Sequence, residues 1–186
     1  NNAIVYGTEK FLTQTLKRLL DSGSKPSLLL VESSCSLSLI GDDLAGIVRK
    51  MELPYPFITM DCGGLVGGFA EGYTKAAISV VDKFSHKDLE VQANSVNVLG
   101  LSDFYYNGTA DRKEICRLLK MAGYKINAIP GSGSSLEDLE KLGAAGLNIV
   151  CNEELGLKLA QHLEKLFGTP YVVAGMPYGI EGTQDW

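Results

Sequence analysis

The chain has 186 residues, of which 45% are hydrophobic and 21% are charged, and its net charge is −5. This composition is typical of an ordinary globular protein, long enough to bury a hydrophobic core in one large or two small domains. The acidic balance and the lack of a long basic run argue against nucleic acid as a partner. With no secretory pattern and no apolar run of membrane length, we expect a cytoplasmic protein that does not interact with a membrane.

Short apolar runs alternate with amphipathic helical stretches in the first half of the chain, which is typical of βαβ units. The predicted strands are Ala3–Tyr6, Ser27–Glu32 and Pro56–Met60. Helices are predicted at Thr8–Asp21, after Asp42 and Asp43, and from the glycine-rich segment Cys62–Gly68 to about Phe84. The near-continuous apolar run Ser27–Glu32 indicates a strand that is covered on both faces.

The second half follows a polar connector, Asp82–Asn94, and repeats the same alternation. The predicted strands are Ser95–Leu101, Tyr124–Ile129, Leu147–Cys151 and Tyr171–Ala174. Helices are predicted from a capping-box-like start at Asp111 and Glu114 to Gly123, at Ser135–Leu142 with a similar start, and at Glu153–Phe167, closed by Gly168.

Strands that are joined by helical crossovers run parallel. The fold class is therefore predicted to be α/β, with two consecutive Rossmann-like modules whose parallel sheets are flanked by helices. We place the first module at residues 1–88 and the second at residues 89–186.

Cys35 is the thiol placed best for chemistry, because ligands of open parallel sheets bind outside the carboxyl ends of the strands. It follows a buried strand and precedes a helix N-terminus, where a thiol pKa is lowered and a metal ligand or a nucleophile is favoured. The alternative is a small buried residue in a tight turn. Since iron–sulfur clusters usually take four thiolates, the remaining ligands of any cluster would have to come from outside this chain.

Other candidate residues follow later strands. Gly64, Gly67 and Gly68 allow backbone amides to approach a ligand, although close packing would explain them equally well. Cys151 and Asn152 end a strand, where packing and helix capping are the competing interpretations. Cys116 lies on an apolar helix face and is predicted to be inert. The four cysteines form no CxxC pair, which argues against a zinc finger and a disulfide scaffold.

Several segments carry a family resemblance in the correct order. They are YGTEK at Tyr6–Lys10, SCSLSLIGDDL at Ser34–Leu44, GLVGGFAEGY at Gly64–Tyr73, VNVLG at Val96–Gly100, AGLNIV at Ala145–Val150, FGTPY at Phe167–Tyr171 and PYGI at Pro177–Ile180. Together they resemble the nitrogenase component 1 type oxidoreductases over nearly the whole chain, and the Cys35 segment is the most specific.

This resemblance implies that Cys35 ligates an iron–sulfur cluster shared with a homologous subunit, in a heterodimer or heterotetramer. It implies that electrons arrive from an ATP-dependent iron–sulfur reductase, and that the glycine loop Gly64–Gly68 lines the cluster or a cofactor site. Asp42 and Asp43 are assigned to helix entry. Asn152, with Cys151 beside it, stands where the molybdenum–iron α subunit has a cofactor-ligating cysteine, and Tyr73 stands where it has a cofactor-proximal histidine.

The same comparison implies that further cluster ligands precede Asn1 and that a carboxy-terminal third follows Trp186, so that the isolated fragment is expected to be inactive. The departures at Asn152 and Tyr73 leave three branches open: a nitrogenase, a scaffold for cofactor assembly, and a tetrapyrrole reductase subunit. A module that binds a small molecule without metal, in a cleft between the two halves, is a further alternative.

Overall fold

The computed structural model of the protein describes residues 8–35, 41–64 and 67–186. The chain divides into two compact units, Asn1–Gly72 and Tyr73–Trp186, each with a parallel β-sheet. The predicted α/β class with parallel sheets and flanking helices is confirmed. The division falls inside one helix, so the predicted module boundary at residues 88 and 89 stays a prediction. The predicted strand Ala3–Tyr6 lies outside the described residues.

The first unit builds a two-stranded parallel sheet. Its elements are helix α1 (Glu9–Asp21), strand β1 (Leu29–Ser33), helix α2 (Leu44–Lys50) and strand β2 (Phe57–Asp61). The strands pair from Leu29 opposite Phe57 to Ser33 opposite Asp61. Both strands therefore end at the same level, and the segments that follow Ser33 and Asp61 leave the sheet side by side. Helix α3 (Phe69–Phe84) then leads into the second unit.

The second unit contains a four-stranded parallel sheet. Its elements are β3 (Gln92–Leu99), α4 (Gly108–Met121), β4 (Lys125–Ala128), α5 (Leu136–Glu140), a 3-10 turn (Leu142–Ala144), β5 (Ala145–Val150), α6 (Glu153–Phe167), β6 (Tyr171–Val173) and α7 (Gly179–Asp185). The strands lie in the order β4-β3-β5-β6. The carboxyl ends of the central strands β3 and β5 are neighbours, as a ligand site at a sheet edge requires.

The hydrophobic core of the second unit covers both faces of its sheet. Leu99 and Val150 pack with Leu159 of α6 in one cluster. Val96 and Val98 belong to a second cluster, which includes residues of α4. Because successive strand residues point to opposite faces, Val96 and Val98 fill one layer and Leu99 fills the other.

A row of three hydrogen-bonded asparagines, two of them buried, crosses the centre of this sheet. The Asn97 amide donates to Asn148 Oδ1 and to the Leu142 carbonyl, each at 2.9 Å. The Asn127 amide donates to Asn97 Oδ1 at 2.7 Å. Asn97 and Asn148 are fully buried, so these mutual hydrogen bonds satisfy amides that would otherwise destabilise the core.

Helix boundaries show where local sequence signals succeed. Helix α6 has the predicted bounds and ends at Gly168, which adopts a left-handed φ of 74°. The box at Ser135 and Asp138 is confirmed, with both reciprocal hydrogen bonds present. The start predicted at Asp111 and Glu114 is wrong. Helix α4 begins at Gly108, so the Asp111 amide already donates to the Asn107 carbonyl within the first turn.

Two further findings concern the helices. Helix α7 follows the last strand, and Thr183 Oγ1 donates to the Gly179 carbonyl at 2.6 Å there. Among the described residues, none of the helices combines the length and the apolar character that a membrane span requires.

Candidate functional site

The carboxyl edge of β1 and β2 brings Cys35 and the glycine loop together. Cys35 is exposed, and its Sγ accepts a hydrogen bond from the backbone amide of Gly64 at 3.1 Å. A β-carbon built on Gly64 would lie 3.7 Å from the same sulfur. The sequence separation of 29 residues is bridged because the two parallel strands end at the same level. The predicted metal ligand and one predicted loop residue thus share one site.

A polar cluster beneath this thiol fixes the two strand ends. Ser33 Oγ donates to Asp61 Oδ1 at 2.7 Å, and the same oxygen accepts from the Gly63 amide at 3.1 Å. Ser33 is buried and Asp61 is half-buried. One carboxylate oxygen therefore ties the end of β1 to the turn after β2, and this turn delivers the Gly64 amide to Cys35.

Asp43 has the capping role predicted for it, whereas the Asp42 side chain bonds to the start of α1 instead of α2. Asp43 caps α2, since its Oδ1 accepts from the Gly46 amide at 2.8 Å. Asp42 Oδ2 accepts from the Thr8 amide at 2.6 Å and from Thr8 Oγ1 at 2.5 Å. Both hydrogen bonds lower the pKa of the Asp42 carboxyl, and the one from the hydroxyl has the larger effect. The acidic pair thus joins the starts of α1 and α2. Residues 36–40, between Cys35 and this pair, lie outside the described residues.

The rest of the predicted glycine loop serves the entry into α3. The Gly68 amide donates to Glu71 Oε2 at 3.0 Å. Gly67 has a φ of 152°, and a β-carbon there would lie 2.8 Å from that of Glu71, so glycine is required at this position. Of the three predicted glycines, Gly64 is therefore the one that contacts the Cys35 sulfur. Leu65 and Val66 lie outside the described residues.

Cys151 and Asn152 lie at the carboxyl end of β5 in the second unit. Cys151 is buried in the core. This burial, and to a smaller extent the nearby Cys116 thiol, raises the pKa of Cys151 to about 12. A thiol that resists ionisation is a poor metal ligand, which favours the packing interpretation. Cys116 is half-buried on the face of α4, and burial raises its pKa as well, in line with the inert role predicted for it.

Asn152 combines a capping role with a place in a pocket wall. Its Oδ1 accepts from the Leu155 amide at 3.2 Å and caps α6. With Ser102, Tyr105 and Tyr178 it lines a small cavity of about 60 Å³ at the carboxyl ends of β3 and β5. Gly100 has a φ of 85°, and a β-carbon there would collide with the Asn152 carbonyl oxygen. The backbones of Gly100 and Asn152 therefore lie in close contact at this second candidate site.

Tyr73 is a structural anchor that sequence reasoning does not identify. Its hydroxyl lies 2.9 Å from the Leu101 carbonyl and 2.8 Å from the Pro130 carbonyl, so one proton is shared between the loops after β3 and β4. Burial raises the pKa of Tyr73 to about 12, and the charges of Tyr105 and Asp103 make smaller contributions in the same direction. A weak sequence signal for this contact is Gly131, whose φ of 80° and missing β-carbon make room for the tyrosine ring.

The donor set fits one corner of an iron–sulfur cluster, but not a complete metal site. In the part of the chain that the structure describes, no group of three or more His, Cys, Asp and Glu side chains could hold a metal ion. Cys35 presents an exposed sulfur with an amide N–H donating to it, and such N–H···S bonds tune cluster sulfurs. Ligands from another part of the protein or from a partner would have to complete the site.

Known proteins resemble this chain along its whole length. The sequence profile of a family described as nitrogenase component 1 type oxidoreductase matches residues 1–186. A subunit of the light-independent protochlorophyllide reductase of Chloroherpeton thalassium is 30% identical over 187 residues, which are 98% of this chain and 34% of that protein. The corresponding protein of Zygnema circumcarinatum is 28% identical over 195 residues, which are 100% of this chain and 38% of that protein.

A solved structure shows the same fold. Nitrogenase Cp1 at pH 5 superposes with a TM-score of 0.82 and 26% identity, and the match covers 99% of this chain and 37% of that chain. The chain therefore spans about a third of the length of the relatives that it matches.

Proposed function

Because the chain belongs to the nitrogenase component 1 type oxidoreductase family, we propose that it is the part of a nitrogenase-like redox subunit that supplies Cys35 to an iron–sulfur cluster. The cluster is shared with a homologous subunit, and its electrons come from an ATP-dependent iron–sulfur reductase. Since the chain spans about a third of its relatives, activity, substrate and partners belong to the longer protein. A cytoplasmic location is part of the same proposal.

The observation that carries this proposal is the exposed Cys35 sulfur, with the Gly64 amide donating to it at the carboxyl edge of β1 and β2. Such an amide can donate in the same way to a cluster-bound sulfur. The Ser33–Asp61 pair fixes the strand ends, so that thiol and amide are held in place before a cluster binds. An iron–sulfur cluster at this edge would supply one-electron chemistry.

The curated relatives described above favour one branch of the family. They are subunits of light-independent protochlorophyllide reductase, and we therefore propose a tetrapyrrole as the substrate class ahead of dinitrogen. Asn152 and Tyr73 support this choice, because neither provides the cysteine and the histidine expected beside a molybdenum–iron cofactor. An assembly scaffold remains the alternative.

The proposal is tested with the full-length chain, co-expressed anaerobically with its homologous partner. Iron content and the low-temperature electron paramagnetic resonance signal are compared between wild type, Cys35→Ala and Cys116→Ala. We expect the Cys35 variant to lose iron and signal and the Cys116 variant to keep both. Wild-type iron in Cys35→Ala would remove this residue from the ligand set. Turnover of a tetrapyrrole with the reductase and ATP would separate a reductase from a scaffold, which would release its cofactor without turnover.

A further inference from the structure

A second exposed thiol, Cys62, leaves the sheet beside Cys35. Ser33 and Asp61 are opposite each other at the ends of β1 and β2. Cys35 is the second residue after Ser33, and Cys62 is the first after Asp61. Neighbouring strands are about 4.8 Å apart, so the two segments begin within that distance of each other. Cys35 and Cys62 are the two cysteines that the structure shows as exposed.

Chain geometry limits how far apart these two thiols can be. Gly64 donates to Cys35 Sγ at 3.1 Å and is only two residues beyond Cys62. Consecutive Cα atoms are about 3.8 Å apart, so the Cys62 Cα is at most about 6 Å from the Gly64 nitrogen. The Cys62 Cα therefore lies within about 9 Å of the Cys35 sulfur. Two thiolates at such a separation can bind one polynuclear cluster through different metal atoms.

The turn that carries Cys62 is fixed on both sides. Asp61 Oδ1 accepts from Ser33 Oγ and from the Gly63 amide, which hold the residues immediately before and after Cys62. Gly63 is buried, whereas Cys62 is exposed. A merely packed cysteine is expected to be buried, as Cys151 is. An exposed thiol held in a fixed turn beside a candidate ligand suits a second metal-binding position.

We propose that Cys62 is a second thiolate ligand of the metal centre bound by Cys35, so that this chain contributes a Cys35–Cys62 pair. The inference rests on the proposed function, because it places both sulfurs at the same centre. It differs from the family-based assignment, which places one cluster ligand of this chain at Cys35. The soft donor set of two thiolates selects iron–sulfur clusters, zinc or copper(I) over magnesium or calcium.

The first test counts thiolates with cobalt(II) alone as the probe, added anaerobically to the metal-free full-length chain. Sulfur-to-cobalt charge-transfer absorption is compared for wild type, Cys35→Ser, Cys62→Ser and Cys116→Ser. We expect Cys62→Ser to lose as much absorption as Cys35→Ser, and Cys116→Ser to lose none. Wild-type absorption in Cys62→Ser, with a loss in Cys35→Ser, would overturn the inference and leave the proposed function intact. Wild-type absorption in both variants would overturn both.

The second test needs no substitution and therefore does not depend on the folding of a variant. The wild-type complex is alkylated with iodoacetamide with and without its metal, and labelling of each cysteine is followed by peptide mass spectrometry. A ligating thiolate is protected from the alkylating reagent, so metal should slow the labelling of both Cys35 and Cys62. Protection of Cys35 with unchanged labelling of Cys62 would exclude Cys62 as a ligand.

Discussion

Replacing Tyr73 with phenylalanine removes the hydroxyl that joins the loops after β3 and β4. The Leu101 and Pro130 carbonyls would lose a donor that now lies within 2.9 Å and 2.8 Å. A net hydrogen bond contributes about 1 kcal/mol, and leaving buried acceptors unsatisfied costs about 1–3 kcal/mol. We expect Tyr73→Phe to lower the free energy of unfolding by about 1–2 kcal/mol at pH 8.

The same hydroxyl gives this loss a pH dependence of known sign. Burial raises the pKa of Tyr73 from 10.0 to about 12, so the folded protein holds the proton where the unfolded chain releases it. The neutral hydroxyl therefore contributes its full stabilisation below pH 10 and loses it as the pH rises towards 12. At pH 11 the loss is about 1.4 kcal/mol, because one pKa unit corresponds to about 1.36 kcal/mol. Tyr73→Phe has no such proton, so its deficit against wild type should shrink by that amount.

Urea unfolding followed by circular dichroism at pH 8 and pH 11 measures both effects. Tyr106→Phe is the matched control, since Tyr106 is fully exposed and should behave like wild type at both pH values. Ionisation of buried Cys151 affects wild type and variant alike and cancels in the difference. A deficit that is absent at pH 8, or that is equal at pH 8 and pH 11, would refute the anchoring role of Tyr73.

Three other substitutions separate structural from functional roles. Asn97→Ala removes the donor to the Leu142 carbonyl and to Asn148 Oδ1, and it removes one acceptor of the Asn127 amide. We expect the free energy of unfolding to fall by about 3 kcal/mol in urea unfolding, whereas an unchanged midpoint would show that the asparagine row is dispensable. Cys151→Ala should lower the free energy of unfolding by about 1–2 kcal/mol and leave the iron content of the complex unchanged. Loss of iron in this variant would identify Cys151 as a metal ligand. Gly46→Ala places a β-carbon against the Asp43 carboxylate, and we expect the lost helix cap to lower the free energy of unfolding by about 1 kcal/mol. Gly72→Ala is the control, because Gly72 has open space around it and its substitution should not lower stability.

Sequence reasoning predicts those parts of the fold that depend on local signals. The apolar periodicity and the left-handed glycine at Gly168 define α6 to the residue. Ser135 and Asp138 form the expected box because both partners are within one turn. The predicted start of α4 is misplaced since Asp111 and Glu114 carry the same signal one turn inside the helix, where Glu114 pairs with Arg117 at 2.7 Å instead.

The candidate site is only partly predictable, because its decisive contacts join residues distant in sequence. The sequence identifies Cys35 and Gly64 separately as candidate site residues, but no local pattern shows that the Gly64 amide donates to the Cys35 sulfur. The Ser33–Asp61 pair depends on strand register, which the sequence does not specify directly. The sequence draws attention to Tyr73 because it stands where the molybdenum–iron α subunit has a histidine. Its hydrogen bonds to the two loops depend on the packing of α3, which no local pattern predicts.

Iron-edge anomalous diffraction from anaerobically grown crystals of the full-length complex tests the account most directly. An anomalous peak is expected at metal–thiolate bonding distance, about 2.3 Å, from the Cys35 sulfur. An iron-loaded complex whose anomalous peaks all lie far from the edge formed by β1 and β2 would contradict it.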